Sequence, residues 1–188
     1  MKTGTISTWA GTGEKKPTPD GAALEGTPLN GPRAIDVDPK GNLYLALREG
    51  NMVYRIDWKT KTLHHIAGTG AKGWSGDNGP AKAAVLNGPK GISWSKDGGV
   101  YIADTESHTI RRIDTKTGII TTVAGNGTRV GVPCDACPAA TSAINWAQGV
   151  AIDSRGGILV TNGSENTVRR IGQDGIIRTI AGNGFGNR

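Results

Sequence analysis

Short runs rich in branched and aromatic residues, separated by tight turns of Gly, Asp and Lys, recur along the whole chain. Four of them follow one another at Gly91–Ser95, Gly99–Ala103, Thr109–Asp114 and Ile119–Ala124. Asp97-Gly98-Gly99 supplies the first turn of this group and Lys116-Thr117-Gly118 the last. Turns this short between β-rich runs predict antiparallel hairpins. No helical period of useful length, and no N-cap leading into one, interrupts the pattern. A parallel sheet built from βαβ units is thereby excluded.

The runs belong to a repeat. The Ala of an Ala-Gly pair falls at Ala10, Ala67, Ala124 and Ala181, 57 residues apart each time, in "TWAGTG", "HIAGTG", "TVAGNG" and "TIAGNG". "LNGPRAIDVDPKGNLYLA" begins at Leu29, "LNGPKGISWSKDGGVYIA" at Leu86 and "INWAQGVAIDSRGGILVT" at Ile144, the third one residue late. That insertion lies between Gly125 and Asp135, and a deletion after Ile171 restores the register. Length changes confined to loops are what a fixed structural unit produces. Units of four antiparallel strands repeated every 40 to 60 residues or about that are the pattern of propeller blades.

The stretch "NGPKGISWSKDGGVYIADTESHTIRRIDTKTGIITTVAGNG" (87–127) resembles an NHL-repeat blade of the long bacterial type. The resemblance covers essentially the whole chain and implies an all-β fold, a β-propeller of four-stranded antiparallel blades. Three blades are expected, at 31–68, 88–125 and 146–182, preceded by an extra outer strand at 4–11. This is half of a six-bladed propeller. The stretch "GWSGDNGPAKAAVLNGPKGI" (73–92) is then a crossover from the outermost strand of one blade to the innermost strand of the next. The eponymous Asn-His-Leu is replaced by Gly50-Asn51-Met52, Ser107-His108-Thr109 and Glu165-Asn166-Thr167, with His108 expected as a hydrogen-bonded scaffold residue. The Asp closing the second strand survives only as Asp104, so an Asp104–Arg112 pair is possible only in the middle blade and is not assigned as a functional site. Arg55, Arg112 and Arg170 recur as half-buried scaffold residues. Propellers typically have about four to eight blades, so three leave the ring open. Either a longer chain or a homodimer of half-propellers is expected to complete it.

Charge changes the picture modestly. The formal net charge is +6, from 22 Lys and Arg against 16 Asp and Glu, with no dense basic tract. It fits a solvated surface, or a basic face toward nucleic acid, acidic glycan or another anionic partner. No apolar run reaches the roughly 18 residues of a membrane-spanning helix, so no membrane span is expected.

The chemistry-bearing residues are few. Cys134 and Cys137 form a single Cys-x-x-Cys in the third crossover, without the second pair that a structural zinc site requires. A loop-stapling disulfide, with two free thiols as the alternative, favours an extracellular or periplasmic location. The histidines, His64, His65 and His108, form no His-x-His or Glu-x-x-His motif. Asp20, Asp77 and Asp135 recur in the crossovers and are expected to shape turns rather than bind calcium. Related six-bladed lactonases and lyases hold a metal at the channel mouth near their innermost strands. The matching positions here are Arg33, Lys90 and Gln148, two cations and an amide that repel a divalent ion. Asp36 lies deeper, aligned with Ser93 and Ala151. No catalytic residue, metal site or cofactor is therefore assigned.

The expected function is a non-catalytic binding module that recognises a protein, glycan or other anionic partner through its loops and channel rim. Arg33, Lys90, Gln148, Trp74 and Trp146 are the candidate binding residues. An RNA-binding NHL propeller is one alternative, for which Trp58, Trp74 and Trp146 would supply stacking surfaces. A fragment of a propeller lyase or lactonase is the other.

Overall fold

The computed structural model describes residues 4–128 and 134–184. Three antiparallel sheets follow one another along the chain. The first contains β1 (Pro32–Val37), β2 (Leu43–Leu47), β3 (Met52–Asp57) and β4 (Thr62–Ala67), in that order from inside to outside. A two-residue strand, β5 (Gly79–Pro80), leads to the second sheet of β6 (Pro89–Trp94), β7 (Gly99–Asp104), β8 (Thr109–Asp114) and β9 (Ile119–Ala124). β10 (Cys137–Pro138) likewise precedes β11 (Ala147–Ile152), β12 (Ile158–Asn162), β13 (Thr167–Ile171) and β14 (Ile176–Ala181). β5 adds to the outer edge of β9, and β10 to that of β14. Each crossover thus passes outside its sheet before turning in to the first strand.

The sheets pack side by side, with β6 against both β1 and β11. One apolar layer, including Tyr44, Ala46, Ile92 and Ile102, joins the first sheet to the second. Another, including Ala103, Ile110, Val150 and Val160, joins the second to the third. Residues Leu43, Leu45 and Leu47 point to the opposite face of β2 and meet Leu24, Tyr54 and Leu63. Successive strand residues face opposite sides, which is why β2 reads as an unbroken apolar run. Gly91 permits the closest approach between sheets: a Cβ there would lie 2.8 Å from the Gln148 carbonyl oxygen and 2.9 Å from the Val150 nitrogen.

One expectation is corrected and one possible pair is not formed. Residues 4–11 form no strand, and no described strand pairs with them. Arg112 does not pair with Asp104. It stands opposite Tyr101, three residues along β7 and so roughly 10 Å away. Its Nη2 instead meets Asp97 at 3.0 Å, and Arg170 pairs with Asp153, from a position earlier in the repeat, at 2.7 Å. No helix among the described residues is long and apolar enough to cross a membrane.

Candidate functional site

The second residues of β1, β6 and β11 are Arg33, Lys90 and Gln148, and the side-by-side packing of these strands brings them to one rim. With Arg48 they line a cavity of about 490 Å³. Arg48 organises it. Its Nη1 meets Glu49 at 2.7 Å and its Nη2 meets Glu106, in the next sheet, at 2.6 Å. Arg33 lies 3.6 Å from Glu49. Lys90 has no carboxylate within 4 Å among the described residues; its ammonium sits 5.2 Å from the Trp146 ring centroid. Burial, then the Arg48 charge and, more weakly, that of Arg33, lower the Lys90 pKa against the opposing pull of Glu106 and Glu49. The charged ammonium is therefore short of a counter-ion. Three cations against two carboxylates leave the rim net positive.

The signature column fixes this geometry. Asn51 and His108 both adopt left-handed backbone, with φ of 49° and 56°, at the turn between the second and third strands of their sheets. Asn tolerates that conformation better than branched residues do. From there the Asn51 Oδ1 accepts the Gly88 N–H at 2.9 Å, and the His108 Nδ1 accepts the Trp146 N–H at 3.3 Å. Gly88 and Trp146 occupy the same position of successive repeats, just ahead of the inner strand. Each signature residue thus holds the start of the following sheet, and with it Lys90 or Gln148. His108 also packs edge-on against Trp146, at a ring separation of 5.7 Å.

A second column secures the crossovers. Arg111 is fully buried and donates to the Val85 and Ser75 carbonyls, each at 3.1 Å, and to Asp77 at 2.6 Å. Arg169, equally buried, donates to the Ala143 and Cys134 carbonyls. Tyr54 holds the place in the first sheet and donates to the Thr18 carbonyl. The Asp column does more than shape turns: Asp20 accepts the His65 N–H and Asp135 the Thr179 N–H, on the outer strands.

Residues 61–138 match the Teneurin NHL domain family model. NHL repeat-containing protein 2 of Gallus gallus is 33% identical over 105 residues, 56% of this chain. The chain belongs to the NHL-repeat family. Teneurin-1 of Mus musculus is 30% identical over 164 residues, 79% of this chain. The NHL-repeat chain corresponds to only 14% and 6% of the lengths of these two proteins. Among solved structures, an auxiliary nutrient binding protein from Bacteroides thetaiotaomicron superimposes with a TM-score of 0.58 at 26% identity, over 73% of this chain and 36% of that one. Virginiamycin B lyase from Staphylococcus aureus gives 0.52 at 23% identity, over 79% of this chain and 40% of the lyase. The latter likeness is one of fold alone.

The NHL-repeat fold separates the candidate residues into two places. Arg33, Lys90, Gln148 and Trp146 share the rim. Trp74 is remote from it: its indole N–H donates to Thr122 of β9 at 3.2 Å, on the outer edge, and its ring covers Gly127. Cys134 and Cys137 are joined as a disulfide, Cα atoms 6.0 Å apart, in the crossover that Arg169 holds. Asp36 turns between sheets and accepts the Trp94 N–H at 2.7 Å. Among the described residues no group of three or more His, Cys, Asp or Glu side chains converges. Arg48 was not anticipated. Its signal lay in the repeat, where Glu49 and Glu106 occupy one column.

Proposed function

We propose that this chain is a non-catalytic recognition module that takes an anionic group of a protein or glycan partner at its rim. The observation that carries the reading is the meeting of Arg33, Arg48 and Lys90 around one cavity, with no carboxylate within 4 Å of Lys90 among the described residues. Arg48 is already engaged by Glu49 and Glu106, which leaves Lys90 and the looser Arg33 to receive a ligand anion, with Gln148 as an amide donor beside them. The Bacteroides thetaiotaomicron protein of similar fold is named for nutrient binding, which agrees with a binding role. We further propose that the ring is completed by a second copy or by more of the same polypeptide.

RNA binding is less well supported. The tryptophans do not form a row: Trp9 packs at a tilt against Trp58, ring centres 5.0 Å apart, with Lys61 over the latter, Trp74 lies on the outer edge, and Trp146 is shared with Lys90 and His108. The test is binding of sulfated and carboxylated oligosaccharides, acidic peptides and single-stranded RNA at low salt, with wild-type protein and R33A/K90A. Loss of roughly tenfold or more for an acidic glycan or peptide supports the reading. Unchanged affinity in R33A/K90A, or tight binding confined to RNA, overturns it.

A further inference from the structure

The groove between the first and second sheets holds a cavity of about 990 Å³, at the end of the inner strands opposite the rim. Arg33 lies near the start of β1, whereas the turn that follows β1 lines the groove, roughly 16 Å along the strand. Tyr44, Ile66, Trp94 and Ile113 supply apolar and aromatic wall, and Arg55 supplies a cation. A cavity of this size, with an apolar and aromatic wall on one side and charged and polar side chains on the other, can take a small amphipathic molecule.

The repeat reveals what sets this groove apart. Arg112 and Arg170, in the same column as Arg55, are ion-paired to Asp97 and Asp153. The Arg55 guanidinium makes no hydrogen bond and no ion pair within 4 Å among the described residues, although Asp57 on the same strand feels its charge. Two exchanges leave it so. The counterpart of Asp97 in the first repeat is Lys40, so a base stands where an acid clamps the neighbouring arginine. The counterpart of Asp153 is Asp38, whose oxygens already accept the Lys40 and Asn42 N–H groups at 2.9 Å, the Asn42 amide at 2.8 Å and the Tyr44 hydroxyl at 3.4 Å. Asp114, also in the lining, is held by the Lys116 and Thr117 N–H groups at 2.9 and 3.0 Å. The corresponding groove between the second and third sheets, about 630 Å³, contains both Asp97 and Asp153.

We propose that the larger groove binds a small aromatic carboxylic acid. Its carboxylate takes on Arg55 the place that Asp97 and Asp153 fill on Arg112 and Arg170, and its ring lies against Trp94. A guanidinium fork engages both carboxylate oxygens in parallel, and Lys40, with Lys82 and Lys116, adds positive charge to the lining.

Isothermal titration calorimetry with 2-naphthoate tests this, with 2-naphthamide as the uncharged control. Wild-type protein is expected to bind the acid saturably and the amide roughly tenfold or more weakly. R55Q and K40D should each weaken naphthoate binding by a similar factor, the latter by restoring an internal carboxylate to Arg55 without lowering the thermal midpoint. R33A/K90A should bind naphthoate as wild type does, which separates this groove from the rim. Absence of saturable binding up to millimolar naphthoate, equal binding of the amide, or affinity unchanged in both R55Q and K40D would overturn the proposal.

Discussion

Arg111 is the most informative residue to remove, because a single buried guanidinium fastens an entire crossover to its sheet. Its three acceptors have other support: the Ser75 and Val85 carbonyls also accept each other's N–H at 3.3 and 3.5 Å, and Asp77 is 31% exposed on its side chain. Removing the guanidinium therefore strands no buried acceptor, and it relieves the cost of burying a charge. What is lost is one charge-assisted pair and two weaker bonds, about 2 kcal/mol in Arg111→Met, where the apolar stem is kept. Arg111→Ala adds an unfilled cavity and should cost about 4 kcal/mol. Tyr54→Phe, in the same column, removes one hydroxyl and should cost about 1 kcal/mol. Urea unfolding followed by tryptophan fluorescence reads these differences as shifts in midpoint at constant slope. Trypsin reads the local effect, since Lys72 and Lys82 lie exposed in the crossover. Faster cleavage at these lysines in Arg111→Met is expected. An unchanged midpoint together with an unchanged cleavage rate would refute the reasoning.

Asp104 carries a pH dependence. Burial raises its carboxyl to about 7, against the lowering effects of the Asn87 N–H, Ser107 and Arg111. The folded state retains a proton that the unfolded chain releases from about pH 4 upward, so stability from this group falls as pH rises toward 7 and is level above it. The slope cannot exceed about 1.4 kcal/mol per pH unit, and Asp104→Asn should flatten it in thermal melts between pH 4 and 8. Gly91→Ala drives a Cβ onto the β11 backbone and should cost about 1–3 kcal/mol, with weakened anion binding because Lys90 and Gln148 are spread apart; wild-type stability would argue against the close packing of β6 on β11. Light scattering on a size-exclusion column should show a dimer of twice 19.5 kDa if a second copy completes the ring. A concentration-independent monomer would leave a longer chain as the remaining proposal.

The sheets and the rim trio were legible because a repeat converts sequence position into spatial position. Once the 57-residue period is aligned, the second residue of every inner strand must occupy the same end of its sheet. Arg33, Lys90 and Gln148 follow from that alone. Trp74 was not so constrained: a loop residue has no period to fix its direction, and it turned to the outer edge. Adjacent arginines hid another distinction. Arg111 and Arg112 sit on opposite faces of β8, one buried over the crossover and one on a surface ion pair, and Tyr54 in the buried column disguises its common role. The Asp column looked like turn chemistry because its partners, the N–H groups of His65 and Thr179, lie over 40 residues away in sequence.

The rim itself is tested most directly by titrating 15N-labelled protein with sodium sulfate at low ionic strength and following side-chain resonances by NMR. Saturable shifts shared by the Arg33 and Arg48 Nε–H and Gln148 Nε2 signals, absent from the Trp74 indole and lost in Lys90→Ala, are the expected result. Shifts scattered over the basic residues without saturation, or unchanged by Lys90→Ala, would contradict anion recognition at this rim.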